Sequence, residues 1–252
     1  MEFRRLGQTG LMVSRLSFGT GALAGLTPRV GGELLVKAFG IGANLWDGSS
    51  DYGTYAHMRY ALKHIPREQV IIVTKTYAEN DDQTERDVAT ALRKLGTDYI
   101  DILLLHYTRP EWLGQPPRLP VSILDQKKLR RVRALGISTH SVATVRLAAE
   151  MPEVQVVETV VNQGGRFNAS DGTIGEIEDG TSLEMLSALK IIRSAGRGVI
   201  AMKVLGSGIL RDAPTAAIHW VAALSEVDTM CIGMRSLQEI ETDARIIMGT
   251  ER

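Results

Sequence analysis

Four polar residues fall, in order, at or just past the ends of three consecutive apolar runs. Asp47 and Tyr52 follow residues 44–46, Lys75 follows residues 70–74, and His106 follows residues 100–105. A phenol beside an ammonium, a carboxylate and an imidazole can hand a proton to an oxygen that is gaining negative charge. A tyrosine with a pKa of about 10 is a poor acid on its own. A neighbouring ammonium favours the phenolate, and desolvation opposes it. On this reading Lys75 lowers the pKa of Tyr52, Asp47 keeps Lys75 charged and oriented, and His106 orients a carbonyl beside them. The four supply no nucleophile and no metal cage. Carbonyl reduction also needs a hydride, which no side chain provides, so the set implies a nicotinamide cofactor. Each residue taken singly has a packing explanation; their ordered recurrence on successive runs favours chemistry.

The elements that must position them alternate. Apolar runs occur at residues 16–18, 44–46, 70–74, 100–105, 135–138, 156–161, 198–202 and 227–232, eight in all, with segments of helical period between them. Val88, Ala91, Leu92 and Leu95 make one apolar stripe that stops at Gly96. Thr181 with Glu184, and Ser236 with Glu239, have capping-box spacing, and Pro214 suits a first helical turn. Eight strand–helix alternations predict parallel strands with right-handed crossovers, closed into a (β/α)8 TIM barrel with its site at the C-terminal strand ends. The rival, an open doubly wound sheet, lacks its glycine signature: Gly19, Thr20 and Gly21 follow the first run without a full G-x-G-x-x-G. Residues 3–6 and 12–16, separated by Gln8, Thr9 and Gly10, read as a short hairpin closing the barrel's other end. Segments 107–120 and 163–180 are longer than ordinary connections and read as loops, candidate substrate walls on the active face.

The chain has 252 residues, which suits one barrel domain over 1–252. Its 29 basic and 29 acidic residues cancel, so no net field draws nucleic acid or an anionic membrane, and small-molecule partners are expected. The single cysteine, Cys231, lies in an apolar run and reads as a core residue of a protein in a reducing, cytoplasmic setting. No apolar leader or membrane-length run is visible, and a monomer or small homo-oligomer is expected.

These motifs together resemble the aldo-keto reductase family over nearly the whole chain. The opening from Leu6 to Gly21, the segment from Asp47 to Tyr52 and Gly53, the strand ending in Lys75, and the run from Asp98 through Asp101 to His106 each look like family segments. Leu135 to Ser138 is similar to its G-x-S strand end, and Gly198 to Gly206 to its seventh strand and cofactor loop. The resemblance implies a barrel that reduces aldehydes or ketones with NADPH, NADH being possible. Tyr52 would be the general acid, Lys75 and Asp47 would tune it, and His106 would orient the carbonyl. It further implies cofactor contacts from Gly19, Thr20, Gly21, Ser138, Asn162 (with Gln163 beside it), Met202, Lys203, Gly206, Gly208, Arg235, Ser236, Glu239 and Asp243. Arg235 and Ser236 would meet an adenosine 2′-phosphate, but Glu239 stands near a position where relatives use arginine, and Thr242 and Asp243 replace a Glu-Asn pair. The chain's last residues follow the final helix directly, so the C-terminal substrate loop of longer relatives is expected to be absent and the pocket open. The alternative reading is a nicotinamide-sensing module with little turnover. A metal-dependent barrel hydrolase fits poorly, with five histidines and no H-x-H after the first strand.

Overall fold

A computed structural model describes residues 1–78, 80–169 and 171–249. The expected barrel is present. Eight strands close in the order β11-β12-β3-β4-β5-β6-β7-β8, every neighbour parallel: β3 (Leu16–Gly19), β4 (Leu45–Asp47), β5 (Ile71–Thr76), β6 (Ile100–Leu105), β7 (Val132–Thr139), β8 (Val156–Val160), β11 (Gly198–Met202) and β12 (Thr229–Ile232). The strands are nearly continuous apolar runs because both faces are covered, the inner by the barrel core and the outer by helices.

The alternation of side chains along a strand sorts the residues. Leu45, Ile71, Val73, Ile102, Leu104, Ala134, Val156, Ile200 and Cys231 form the inner cluster, while Phe18, Ile72, Leu103, Leu135 and Val157 pack outward in the main core. Two residues beyond Leu45, Val73, Val156 and Ile200 on the same face come Asp47, Lys75, Glu158 and Met202. Three of these four are ionisable, so register alone makes the upper barrel layer largely polar.

The predicted hairpin, β1 (Phe3–Arg5) with β2 (Met12–Ser14), pairs antiparallel, and Leu6, Leu11 and Val13 join the inner cluster as the barrel's floor. Around the barrel stand α1 (Pro28–Ile41), α2 (Tyr55–Ala61), α3 (Asp81–Leu95), α4 (Val121–Lys128), α5 (Val142–Glu150), α6 (Ser182–Ser194), α7 (Pro214–Ala222) and α8 (Leu237–Ile247). The predicted stripe is the buried face of α3, which ends at Gly96 with a left-handed φ of 73°. The Thr181–Glu184 capping box is complete, and Pro214 occupies the first turn of α7. The Ser236–Glu239 box is half formed. Ser236 caps the Glu239 N–H, but the Glu239 carboxylate accepts from the Arg235 N–H and not from the cap's own.

Segment 163–180, expected as a loop, contains a second small hairpin. There β9 (Arg166–Asn168) pairs with β10 (Ile174–Glu176), with Ser170 outside the described residues. Three-residue strands among Gly, Asp and Asn are too short to show a period. The expected C-terminal end falls on residues 250–252, which also lie outside the described residues. Among the described residues no helix is long and apolar enough to cross a membrane.

Candidate active site

A cavity of about 1300 Å³ opens at the C-terminal strand ends and runs from the barrel mouth to the start of α8. Asp47, Asp51, Tyr52, Glu158, Met202 and Cys231 form its inner end. Lys75 lies beneath, 1% exposed, with its ammonium bonded to Asp47 Oδ1 and donating to the Gly48 carbonyl at 3.1 Å. The same ammonium is 5.2 Å from the centre of the Tyr52 ring, and the His106 ring stands edge-on to Tyr52 with centroids 6.1 Å apart. The four residues singled out by sequence are thus one cluster.

Glu158, which the sequence reading passed over, completes it. It sits mid-strand on β8, 1% exposed, with Oε2 3.2 Å from Lys75 Nζ. That contact is within ion-pair range but outside hydrogen-bond geometry, and Oε2 has no hydrogen-bond partner among the described residues. The signal was a lone acid inside the apolar run 156–161. Asp47, Glu158 and Cys231 could offer three ligand atoms within 4.8 Å of one another. The Lys75 ammonium stands among them, so the residues fit a cage for an ammonium rather than for a metal ion.

The electrostatics follow from burial and from two carboxylates sharing one ammonium. Burial, then the charge of Glu158, pushes the Asp47 carboxyl up to about 7 against the pull of Lys75. Lys75 itself stays firmly charged, because the two carboxylates outweigh the cost of its burial. For Tyr52 the largest single influence is the downward pull of Lys75, as expected. Burial and the charges of Asp47 and Glu158 together exceed it, so the phenol lies above its ordinary range. That corrects the expected net lowering: unliganded, Tyr52 holds its proton. His106 is lowered to about 4 by burial and by Lys75, so it is neutral at pH 7. Its Nδ1 lies 3.3 Å from Ser49 Oγ and 3.9 Å from Asp51 Oδ1. Tyr77 stacks on its ring at 4.8 Å and donates to Asp51.

Of the expected cofactor residues, Gly19, Gly21, Met202, Lys203, Gly208, Arg235, Ser236, Glu239 and Asp243 line the cavity. Four others do not. Thr20 is fully buried and donates to the Asp47 carbonyl at 2.7 Å. Ser138 is buried, its carbonyl held by the Thr108 N–H at 2.7 Å. Asn162, just past β8, donates its amide nitrogen to the carbonyls of Lys203 (2.9 Å) and Arg166 (3.1 Å), while its Oδ1 has no hydrogen-bond partner among the described residues. Gly206 is buried at the start of the 206–208 turn. In that turn the N–H groups of Gly206 and Gly208 bond to Lys203 and Leu205 carbonyls, so the exposed strap presents Ser207 and Gly208.

The second long segment makes a cavity wall. Asn168 and Ala169 line it, and the Asn168 amide donates to the Ser207 carbonyl at 3.1 Å. No residue of 107–120 is among the cavity's lining; that segment braces the hairpin side instead, Tyr107 donating to Glu178 at 2.6 Å. At the far end, burial and the neighbouring Glu239 push the Asp243 carboxyl up to about 7.

Comparison with known proteins agrees with this architecture. Residues 15–216 match the model of the aldo/keto reductase family. The chain is 25% identical to an L-galactose dehydrogenase of Arabidopsis thaliana over 100% of its own length and 89% of that protein. It is 27% identical to an NADH-specific methylglyoxal reductase of Escherichia coli, over 61% of its own length and 56% of that protein. The solved aldo-keto reductase from Bacillus halodurans superposes with a TM-score of 0.77 at 18% identity, covering 98% of this chain and 91% of that one, a likeness of fold.

Proposed function

The chain belongs to the aldo/keto reductase family, and on that premise we propose that it reduces a small aldehyde or ketone to the alcohol, with a nicotinamide hydride and a proton from Tyr52. The observation that carries the reading is the placement of Tyr52. It lines the cavity with its ring 5.2 Å from a buried, charged lysine and edge-on to a neutral histidine. The cavity's residues suit a dinucleotide. Met202 offers a polarizable cover for a flat ring, the Ser207–Gly208 strap faces its middle, and Arg235 and Ser236 stand at its outer end. Bound there, the nicotinamide supplies the hydride that no side chain can.

The protein's part is the proton. Tyr52 keeps its proton until a carbonyl oxygen gains charge, and Lys75 then stabilises the phenolate it leaves. His106, neutral and backed by Ser49 and Asp51, positions the oxygen.

At the adenosine end Glu239 weighs against the NADPH that the resemblance implied. Its carboxylate is drawn onto the Arg235 N–H at the start of α8, where a phosphate would otherwise find donors. We therefore favour NADH, in keeping with one relative's name. The substrate we infer is small and oxygen-rich, since Asp51, Ser49 and Tyr77 ring His106 with polar atoms, and relatives are named for methylglyoxal and L-galactose. No observation favours the sensing alternative. Fluorescence titration with NADH and NADPH, then absorbance at the reduced-nicotinamide band with a panel of small aldehydes, tests the proposal. Binding without turnover of any carbonyl contradicts it.

A further inference from the structure

We propose that Glu158 is the counter-charge for the cation that forms on the nicotinamide as hydride leaves, so that this site binds the oxidised cofactor more tightly than the reduced one. The inference rests on the nicotinamide reading of the cavity.

Position comes first. The carbon that accepts hydride and the oxygen that takes the Tyr52 proton are bonded, about 1.2 Å apart. The reacting ring must therefore lie within reach of the same carbonyl as Tyr52, over the inner end of the cavity. Tyr52 is 5.2 Å, ring centre to Nζ, from Lys75, and Lys75 Nζ is 3.2 Å from Glu158. Glu158 lines that same inner end with Met202 and Cys231.

Its bonding state comes second. Glu158 is 1% exposed, yet its Oε2 has no hydrogen bond, because the ammonium directs its donors to Asp47 and Gly48. A buried carboxylate oxygen without a hydrogen bond is costly unless something else completes it.

Charge comes third. The charged groups around Glu158 are Asp47 on β4, Lys75 on β5 and Lys203 just past β11, with the Cys231 thiol on β12. Lys75 stands between both carboxylates, and burial first, then the charge of Glu158, pushes the Asp47 carboxyl upward against its pull. Lys203 holds its ammonium 5.2 Å from the Phe167 ring, toward the hairpin. The unpartnered Oε2 of Glu158 is thus the acceptor that this end of the cavity offers, and a cationic ring placed beside it is favoured over a neutral one.

The charges of the reaction balance at this end of the cavity. The C–H bond of the reduced ring breaks with both electrons going to the carbonyl carbon, leaving the ring positive. The O–H bond of Tyr52 breaks with its proton going to the carbonyl oxygen, leaving a phenolate that solvent reprotonates. Lys75 faces the new anion and Glu158 the new cation.

The test compares dissociation constants for NADH and NAD⁺, by fluorescence and by competition, in the wild type, Glu158→Gln and Glu158→Asp. The wild type is expected to prefer NAD⁺. Glu158→Gln should erode that preference by about tenfold, chiefly through weaker NAD⁺ binding, which corresponds to ~1.4 kcal/mol. Glu158→Asp, which keeps the charge, should retain most of it and serves if the glutamine variant fails to fold. An unchanged ratio in Glu158→Gln, or a ratio lost equally in Glu158→Asp, overturns the inference and leaves Glu158 as a partner of Lys75 only. A wild type that binds neither form removes the nicotinamide reading itself.

Discussion

Lys75 is the largest single influence on the Tyr52 phenol, its ammonium 5.2 Å from the ring centre, yet the phenol is raised and not lowered. Burial, with the charges of Asp47 and Glu158 added, outweighs the ammonium. A donor must hold its proton before the reaction and give it up during it, and the cluster meets the first condition through Asp47, Glu158 and burial. The second is met when charge develops on the substrate oxygen.

Tyr52→Phe removes the proton and little volume. Turnover of any accepted aldehyde is expected to fall by about 10²–10⁴-fold, while NADH affinity changes little. Steady-state rates beside a binding titration check both halves.

Glu239→Gln should shift the cofactor balance. Removing one carboxylate from the start of α8 is expected to improve NADPH binding relative to NADH by roughly fivefold, the scale of an exposed charge contact. Dissociation constants for the two cofactors in both proteins decide it, and a constant ratio counts against Glu239 as a phosphate excluder.

Stability should depend on pH through two part-buried histidines. His140, packed between Tyr107 at 4.9 Å and Phe167 at 4.7 Å, is lowered to about 3 by burial, and His106 to about 4. Unfolded histidines titrate near ~6.5. Below that value the unfolded chain takes up protons the folded one refuses, so this stability is complete above about 6.5 and drains as pH falls toward 4 and 3. Asp47, raised to about 7, works the other way, its contribution present at low pH and lost as pH rises through 7. His140→Phe should therefore lose less stability than the wild type between pH 7 and pH 5. Urea midpoints at both pH values measure the difference, and equal losses would count against a neutral His140 in the folded chain.

Thr181→Ala breaks the complete capping box of α6, where Thr181 Oγ1 accepts from the Glu184 N–H and Glu184 accepts in return. A loss of ~1 kcal/mol is expected, read by thermal or urea unfolding. Ser236→Ala, in the half-formed box, should cost less.

The barrel was legible because its strands are continuous apolar runs, and because period-two register places Asp47 and Lys75 two residues beyond Leu45 and Val73 on the inner face. The caps at Gly96 and Thr181 were legible because they are local. What escaped depends on contacts between distant segments. Glu158 lies inside an apolar run, and only barrel closure brings it to Lys75. The bond that the Asn162 amide nitrogen makes to the Lys203 carbonyl likewise joins segments far apart in the chain. The net shift of Tyr52 needed the count of buried carboxylates, which no spacing contains.

The most direct test of the proton-and-hydride account follows a label. NADH deuterated at the transferable C4 position is incubated with an accepted aldehyde, and the product alcohol is read by mass spectrometry and NMR. The account predicts one deuterium on the carbinol carbon with the wild-type protein and almost no labelled alcohol with Tyr52→Phe. Alcohol formed without the label, or formed equally well by Tyr52→Phe, would contradict it.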